Sequence, residues 1–196
     1  GSGASPVIAE ISKNLGILTI AIVTTPFSFE GNQRLEIAKK SLERLKGKVD
    51  SLISISNDRL LATLSPDISL SKAFWFGDEI LRDAIQTISD LILVPGIINV
   101  DFASLKTVLK NSGTALFGIA KAVGEKRAEE AALAALSSPL IDKSFKGAKG
   151  ILFNITGGRN LSLGKISEIS RRIWEQVSKE AKIIFGVSYD KKLENE

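Results

Sequence analysis

Polar side chains gather in one short segment that follows a long apolar stretch. Residues 99–104, of sequence NVDFAS, carry an amide, a carboxylate and a hydroxyl just after Pro95-Gly96. An aspartate on a loop above a rigid helix can orient or activate water, or bind a cation. Asp101 or Ser104 can equally cap a helix that begins near Phe102. Capping explains one of these residues well, but it does not explain the set of Asn99, Val100, Asp101 and the two residues after them.

Two places near the amino terminus have the residue types of an anion or nucleotide site. Gly1-Ser2-Gly3 precedes a predicted helix, where backbone N–H groups and the helix dipole favour phosphate. A simple Gly/Ser loop or a cloning remnant is the alternative. Glu30 and Arg34 follow an apolar strand, at the edge where open α/β sheets bind ligands. Glu30 can accept hydrogen bonds from ribose and Arg34 can pair with phosphate, unless Glu30 is only an ordinary acid at a helix start.

Asp78 follows an aromatic pair and a glycine, Trp75-Phe76-Gly77, within a predicted helix. One carboxylate there can accept from both N1–H and the exocyclic amine of guanine. An acid that simply faces solvent is the competing interpretation, and the spacing alone does not exclude it.

Composition excludes several classes of chemistry. The 196 residues contain no cysteine and no histidine, which removes disulfides, thiolate catalysis and the commonest general base. A net charge of +4 is too weak and too evenly spread to indicate nucleic-acid binding. The apolar run Leu15–Val23 is shorter than the ~20 residues of a membrane span, so a cytoplasmic location is expected. With no methionine and an opening at Gly1, we expect a piece of a longer protein.

Predicted strands and helices alternate along the chain, which indicates an α/β fold. The predicted strands are 17–23, 49–55, 114–123, 148–155 and 181–188. The predicted helices are 7–15, 34–45, 68–93, 102–111, 125–137 and 163–180. Helix 68–93 is apolar around much of its circumference, which predicts a largely buried central helix. We place the domain boundary at its end, with domains 1–95 and 96–196.

These segments, in this order, resemble the FtsZ family of tubulin-like cell-division GTPases. The matching motifs are GSGASP (1–6), GILT (16–19), PFSFEG (26–31), VDSLI (49–53), NDRLL (57–61), PG (95–96), NVDFA (99–103), RAEEA (127–131) and NITGG (154–158). The resemblance implies the second half of a Rossmann-like GTPase domain, a long central helix, and an α/β C-terminal domain with a mixed sheet. It also implies that the first nucleotide-binding half and the closing strands lie outside these residues, so that this piece alone binds GTP negligibly.

The resemblance further implies GTP or GDP as the ligand, with Mg²⁺ as a possible companion. Nucleotide contacts fall, by motif, on Gly1, Ser2, Gly3, Glu30, Arg34 and Asp78. The partner implied is a second copy, joined head to tail in a filament at the division site, so that Asn99 and Asp101 complete hydrolysis in the neighbouring subunit. Adaptor proteins are implied as well, without nucleic acid or direct membrane insertion.

The chain departs from the family pattern at the position of its second catalytic acid. The family loop reads NVDFAD, and here Ser104 replaces the last acid. Asn160 and Ala120 also differ from the usual Asp and Gly. Two functions follow: a filament-forming GTPase with Asp101 as its remaining acid, or a hydrolysis-impaired paralogue that assembles with or caps such filaments. An unrelated α/β domain is a third interpretation, which the motif set disfavours.

Overall fold

The computed structural model describes residues 1–65, 67–141, 145 and 147–193. They form two compact units, the first from Gly1–Ile85 with Leu109–Phe117, the second from Gln86–Val108 with Gly118 onward. The boundary placed at residues 95–96 stays a prediction. Within the described part of the chain, no helix combines the length and the apolar character needed to cross a membrane.

The first unit contains a three-stranded parallel sheet. Its strands are β1 (Ile20–Thr25), β2 (Ser51–Ser56) and β3 (Gly113–Ala115), in spatial order β1-β2-β3. Its helices are α1 (Ala4–Asn14), α2 (Asn32–Lys46), α3 (Asn57–Leu61) and the first part of α4 (Leu70–Leu93), with a 3₁₀ turn at Ser28–Glu30. Because β1 and β2 are parallel, the segments that follow them emerge at the same edge of the sheet.

Asp50 ties the starts of these strands together. Its carboxylate accepts hydrogen bonds from the backbone N–H of Thr19, at 2.9 Å, and of Asn111, at 3.4 Å. Ala9, Leu45 and Leu52 form a buried cluster between α1, α2 and β2. The first unit is therefore held both by strand pairing and by a small apolar core.

The second unit contains a βαβ arrangement. Strands β4 (Gly150–Gly157) and β5 (Lys182–Tyr189) pair in parallel, joined through α7 (Leu163–Trp174), and an antiparallel bridge links Ile98 to Val187. This unit also holds the end of α4, helices α5 (Phe102–Leu109) and α6 (Arg127–Leu136), and a 3₁₀ turn at Lys191–Leu193. Helices α6 and α7 share a core built from small and branched side chains, including Ala128, Ala132, Ile166, Ile169 and Ile173.

The sequence-based expectation that helix 68–93 is largely buried was wrong. Helix α4 is not largely buried, since Trp75 is 54% and Leu93 76% exposed. The apolar positions that predicted the first helix are also exposed, whereas Pro6 and Ala9 are buried. Periodicity reports the presence of an apolar face, but only the packing partners decide whether that face is covered.

Some element limits also differ from the prediction. In place of the predicted strand 114–123 the structure has only β3 at Gly113–Ala115, and the chain that follows passes close to the Ala135 carbonyl of α6 at Gly118. Helix α7 ends at Trp174 rather than near 180, where the Ser178 hydroxyl accepts from the Glu180 N–H and favours a turn. Strand β1 begins at Ile20, and β4 continues to Gly157 within the predicted turn 156–158.

Candidate functional site

The loop after β1 is held in shape by two carboxylates. Glu30 accepts a hydrogen bond from the Phe27 N–H at 2.9 Å, and Asp58 accepts one from the Ser28 N–H at 2.8 Å. Asp58 lies at the start of α3, directly after β2, so it connects the two segments that leave the sheet at this edge. Gly31 closes the loop with φ of 95°, a conformation that favours glycine.

Glu30 and Arg34 form an ion pair at the mouth of this loop. An Arg34 guanidinium nitrogen lies 2.5 Å from Glu30 Oε2, and the Arg34 side chain is 68% exposed while that of Glu30 is 13% exposed. The pair places a fixed carboxylate beneath a guanidinium that extends from the first turn of α2 into solvent. This arrangement suits a ligand with hydroxyl groups next to an anionic group.

An aromatic cluster lies beside this pair. The Phe27 ring stacks on Phe29 with centroids 4.9 Å apart and meets Phe74 edge-on at 5.3 Å. Phe27 is fully buried, whereas Phe29 is 57% and Phe74 41% exposed. Asp78 is exposed one turn after Phe74 on the same face of α4, and no hydrogen bond or ion pair holds it among the described residues. Exposed rings can stack on a planar base, and a carboxylate beside them can accept hydrogen bonds from the edge of that base.

Asn57 adds a polar group that the sequence-based assignment of site residues missed. It is buried, and its Oδ1 has no hydrogen-bond partner within the described structure. That oxygen lies 3.5 Å from the point where a Cβ on Gly77 would stand, immediately before Asp78. A buried acceptor without a partner is costly unless a ligand or water supplies a donor. The position of Asn57 directly after a strand, in the motif NDRLL, was the available signal.

Gly1-Ser2-Gly3 is exposed at the beginning of α1. The helix has no side-chain hydrogen bond at its amino end, and its first turn closes through the Ser5 N–H to the Gly1 carbonyl at 3.0 Å. Ser41 on α2 donates its hydroxyl to the Ser2 carbonyl at 2.9 Å. The structure therefore ties this glycine segment to the helix that also carries Arg34.

In the second unit, the segment before Asn99 is fixed to β5. The Ile97 and Ile98 N–H groups both lie within hydrogen-bond distance of the Val187 carbonyl, and the Val187 N–H donates back to Ile98. Asn99 Oδ1 accepts from the Gly96 N–H at 2.6 Å, which closes the turn. Val100 is buried directly after it, so the loop leaves the sheet from a rigid base.

Asp101 and Ser104 are joined by two hydrogen bonds at the start of α5. The Ser104 N–H donates to Asp101 Oδ1 and the Ser104 hydroxyl donates to Oδ2, both at 2.7 Å. These bonds hold the pKa of the Asp101 carboxyl below its ordinary value, the N–H contributing most and the hydroxyl next. The capping contact considered from the sequence is thus present, on an exposed carboxylate.

Family models match both units of the chain. Residues 1–65 match the GTPase domain of the tubulin/FtsZ family, and residues 113–196 match the C-terminal domain of the FtsZ family. The solved "FtsZ dimer, empty" from M. jannaschii is 42% identical with a TM-score of 0.95, covering 100% of this chain and 57% of that one. The chain belongs to the FtsZ family. The predicted family and fold class are therefore confirmed.

More distant FtsZ-like structures share the fold. CetZ1 from Haloferax volcanii, solved as a GDP-bound monomer, is 20% identical with a TM-score of 0.74, covering 98% of this chain and 57% of that one. TubZ from Bacillus thuringiensis serovar israelensis, in GDP-form protofilaments, is 12% identical with a TM-score of 0.66, covering 97% and 55%. The chain thus spans a little over half the length of these relatives.

Exposed apolar side chains flank the FtsZ-type loop in the second unit. Leu93 is 76%, Val94 48%, Ile97 63% and Phe102 52% exposed. Such a concentration around polar residues marks an interaction surface more often than a free one. We name this group of four the loop-flanking apolar surface.

Two other departures from the FtsZ pattern have different surroundings. Asn160 Oδ1 accepts from the Arg127 guanidinium at 2.7 Å, so a neutral amide replaces the usual acid in that contact. Nothing in the structure explains Ala120. Among the described residues, no group of three or more His, Cys, Asp or Glu side chains converges to hold a metal ion.

Proposed function

We propose that the natural protein containing these residues binds GTP and GDP and forms head-to-tail filaments in cell division. The observation that carries the proposal is the group at the carboxyl edge of β1 and β2. There, an exposed aromatic surface, an unpartnered acid, an orphan amide and a carboxylate–guanidinium pair lie on neighbouring segments. The match to a GTPase-domain model supports the choice of guanine nucleotide.

In this proposal each group recognises a different part of the nucleotide. The rings of Phe29 and Phe74 stack on guanine, while Asp78 accepts from its N1–H and exocyclic amine. Asn57 Oδ1 offers a further buried acceptor near the base edge. Glu30 and Arg34 contact ribose and phosphate, and the open first turn of α1 with Gly1, Ser2 and Gly3 faces phosphate oxygens.

Filament formation is proposed to bring Asn99 and Asp101 to the nucleotide of a second copy. The loop-flanking apolar surface gives this contact an apolar border, and the M. jannaschii FtsZ was solved as a dimer. A heterologous contact of this kind extends into a filament rather than closing. Asp101 would orient the attacking water and accept its proton as the water oxygen bonds to the γ-phosphorus and GDP leaves, with Asn99 fixing the turn. Mg²⁺, where present, would arrive with the phosphates and neutralise their charge.

The second candidate function is a hydrolysis-impaired paralogue that assembles with or caps such filaments. Ser104 favours it, because a neutral hydroxyl cannot act as the second carboxylate at neutral pH. Removal of one general base typically slows a reaction about 10²–10⁴-fold. For both candidates we propose a cytoplasmic division site and tethering by adaptor proteins.

Nucleotide binding and phosphate release of the natural protein test these proposals separately. Asp78→Ala should weaken GTP binding at least about tenfold, the worth of one hydrogen bond to a charged group, whereas Glu43→Ala at the far end of α2 should not. Ser104→Asp should raise phosphate release. Equal turnover in wild type and Ser104→Asp would remove the argument for impaired catalysis. If neither hydrolyses GTP while both bind it, the paralogue is the better description.

A further inference from the structure

We propose that Ser104 is a positioning residue for Asp101, and that its hydroxyl sets both the direction and the reactivity of that carboxylate. The replacement of the second acid would then do more than remove one base, because it would also restrain the base that remains. This inference rests on the proposed hydrolytic function of Asp101.

The geometry gives Ser104 control over both oxygens of the carboxylate. Its N–H occupies one lone pair of Oδ1 and its hydroxyl one lone pair of Oδ2, both at 2.7 Å. Two donors on different oxygens prevent rotation of the carboxylate about its Cβ–Cγ bond. The carboxylate is exposed, so water can still reach Asp101 and donate a hydrogen bond to it.

Buried residues lie on both sides of Asp101 and Ser104 in the sequence. Val100 before it is 7% exposed, and Leu105 after it is fully buried and donates its N–H to the Asp101 carbonyl at 3.1 Å. Thr107 donates its hydroxyl to the Ser104 carbonyl at 2.7 Å, which fixes the first turn of α5. The exposed carboxylate is thus held on a rigid turn rather than on a free loop.

Few groups influence the pKa of Asp101, so the loss of one hydroxyl should change it. The groups that lower its pKa are the Ser104 N–H, the Ser104 hydroxyl, and the backbone N–H groups of Ala103 and Asp101, and partial desolvation of the carboxyl opposes them. No charged side chain of the described residues contributes to that pKa. Among these groups, only the hydroxyl is lost when Ser104 is replaced by alanine. A carboxylate at that position would instead raise the pKa through like-charge repulsion.

The expected consequence is a weaker base in a fixed position. Hydrogen bonds to the ionised form stabilise it and make it a poorer proton acceptor, and general bases work best with a pKa near the working pH. Ser104 would therefore slow hydrolysis in the assembled protein while keeping Asp101 aimed. Filaments of this chain should consequently retain GTP longer than those with a second acid.

Carboxyl NMR titration and pH–rate profiles test the proposal together. In ¹³C titrations of the chain, Ser104→Ala should raise the pKa of Asp101, and Ser104→Thr, which keeps the hydroxyl, should leave it at the wild-type value. In the natural protein, the acidic limb of GTP hydrolysis should move to higher pH in Ser104→Ala and stay at the wild-type position in Ser104→Thr. At a pH on that limb its rate should fall roughly two- to tenfold, the equilibrium worth of one hydrogen bond.

The outcomes distinguish this inference from the proposed function. An unchanged Asp101 titration in Ser104→Ala would overturn the inference, as would a changed titration with an unmoved acidic limb, which is the result expected of a purely structural cap. If Asp101 titrates as expected but no variant, including Ser104→Asp, hydrolyses GTP, then the hydroxyl's hold on Asp101 stands and the proposed hydrolysis is wrong.

Discussion

The attachment of the catalytic-loop candidate to β5 depends on a glycine that no other residue can replace without movement. A Cβ built on Gly96 would lie 2.5 Å from the Val187 carbonyl oxygen and 3.3 Å from the Ile98 carbonyl oxygen. Both atoms belong to the backbone, so neither can turn away as the end of a side chain could. We therefore expect Gly96→Ala to detach residues 96–98 from the strand.

The size of the effect follows from the contacts that this detachment breaks. The Ile97 N–H to Val187 carbonyl distance is 2.7 Å, the Ile98 N–H to the same carbonyl 3.2 Å, and the Val187 N–H to Ile98 carbonyl 3.0 Å. With roughly 1 kcal/mol of net stability for each hydrogen bond, losing two or three lowers the free energy of unfolding by about 2–3 kcal/mol. The typical cost of overpacking, about 1–3 kcal/mol, has the same magnitude.

Two other glycines provide matched controls. A Cβ on Gly47 would meet nothing within 4 Å, and its φ of −89° suits any residue, so Gly47→Ala should be neutral or gain about 0.4–1 kcal/mol. A Cβ on Gly186 would lie 2.6 Å from Leu91 Cδ2, the end of a flexible side chain, so Gly186→Ala should be intermediate.

Urea unfolding of the three variants measures the free energies, and amide hydrogen exchange at Ile97 and Ile98 reports the local detachment. Gly96→Ala should accelerate exchange at these two amides more than its global stability loss accounts for. Equal urea midpoints for Gly96→Ala and Gly47→Ala, with the protection of both amides unchanged, would show that Gly96 does not hold this segment to β5.

Two further substitutions test other contacts. Asn57→Ala should weaken guanine-nucleotide binding by the natural protein about tenfold in calorimetry, because it removes an acceptor whose Oδ1 has no internal partner, and an unchanged affinity would contradict its assignment to the base. Glu10→Gln should lower the urea midpoint most at pH values above the ordinary glutamate pKa, because the hydrogen bond and charge of Lys48 lower the pKa of Glu10 in the folded state. That stabilisation is lost as the pH falls through the lowered value, so wild type and variant should converge in acid; a constant difference at every pH would disprove the linkage.

The local hydrophobic pattern was sufficient to predict the type and position of some helices and strands. The amphipathic spacing that predicted helix 34–45 corresponds to α2 at Asn32–Lys46, and the β-branched run 49–55 corresponds to β2 at Ser51–Ser56. Both are flanked by glycine or polar residues that end them clearly. The motifs were also sufficient to identify the family, because many short segments match the family's motifs in the same order.

The same reasoning could not find contacts between residues distant in sequence. Phe27 and Phe74 meet across the first unit, and Asn57 Oδ1 comes to lie beside Gly77 only after α4 has packed near α3. The sequence around each of these residues does not indicate which distant residue it will contact. For the same reason, the apolar spacing of Val7 and Leu15 predicts a helix but does not tell whether another element covers them, and both side chains are exposed.

Capping and catalysis, which the sequence offered as alternatives for Asp101, need not compete. A helix cap is a carboxylate whose position is fixed by backbone donors, and this is also what a general base requires before it meets a substrate. The cost lies in basicity, since every donor that fixes Asp101 also lowers its pKa. A second carboxylate three residues later would offset that cost by repulsion, whereas the Ser104 hydroxyl adds to it. If Asp101 is the base that we propose, the side chain at position 104 would decide whether the cap acts mainly as a structural element or as a reactive one.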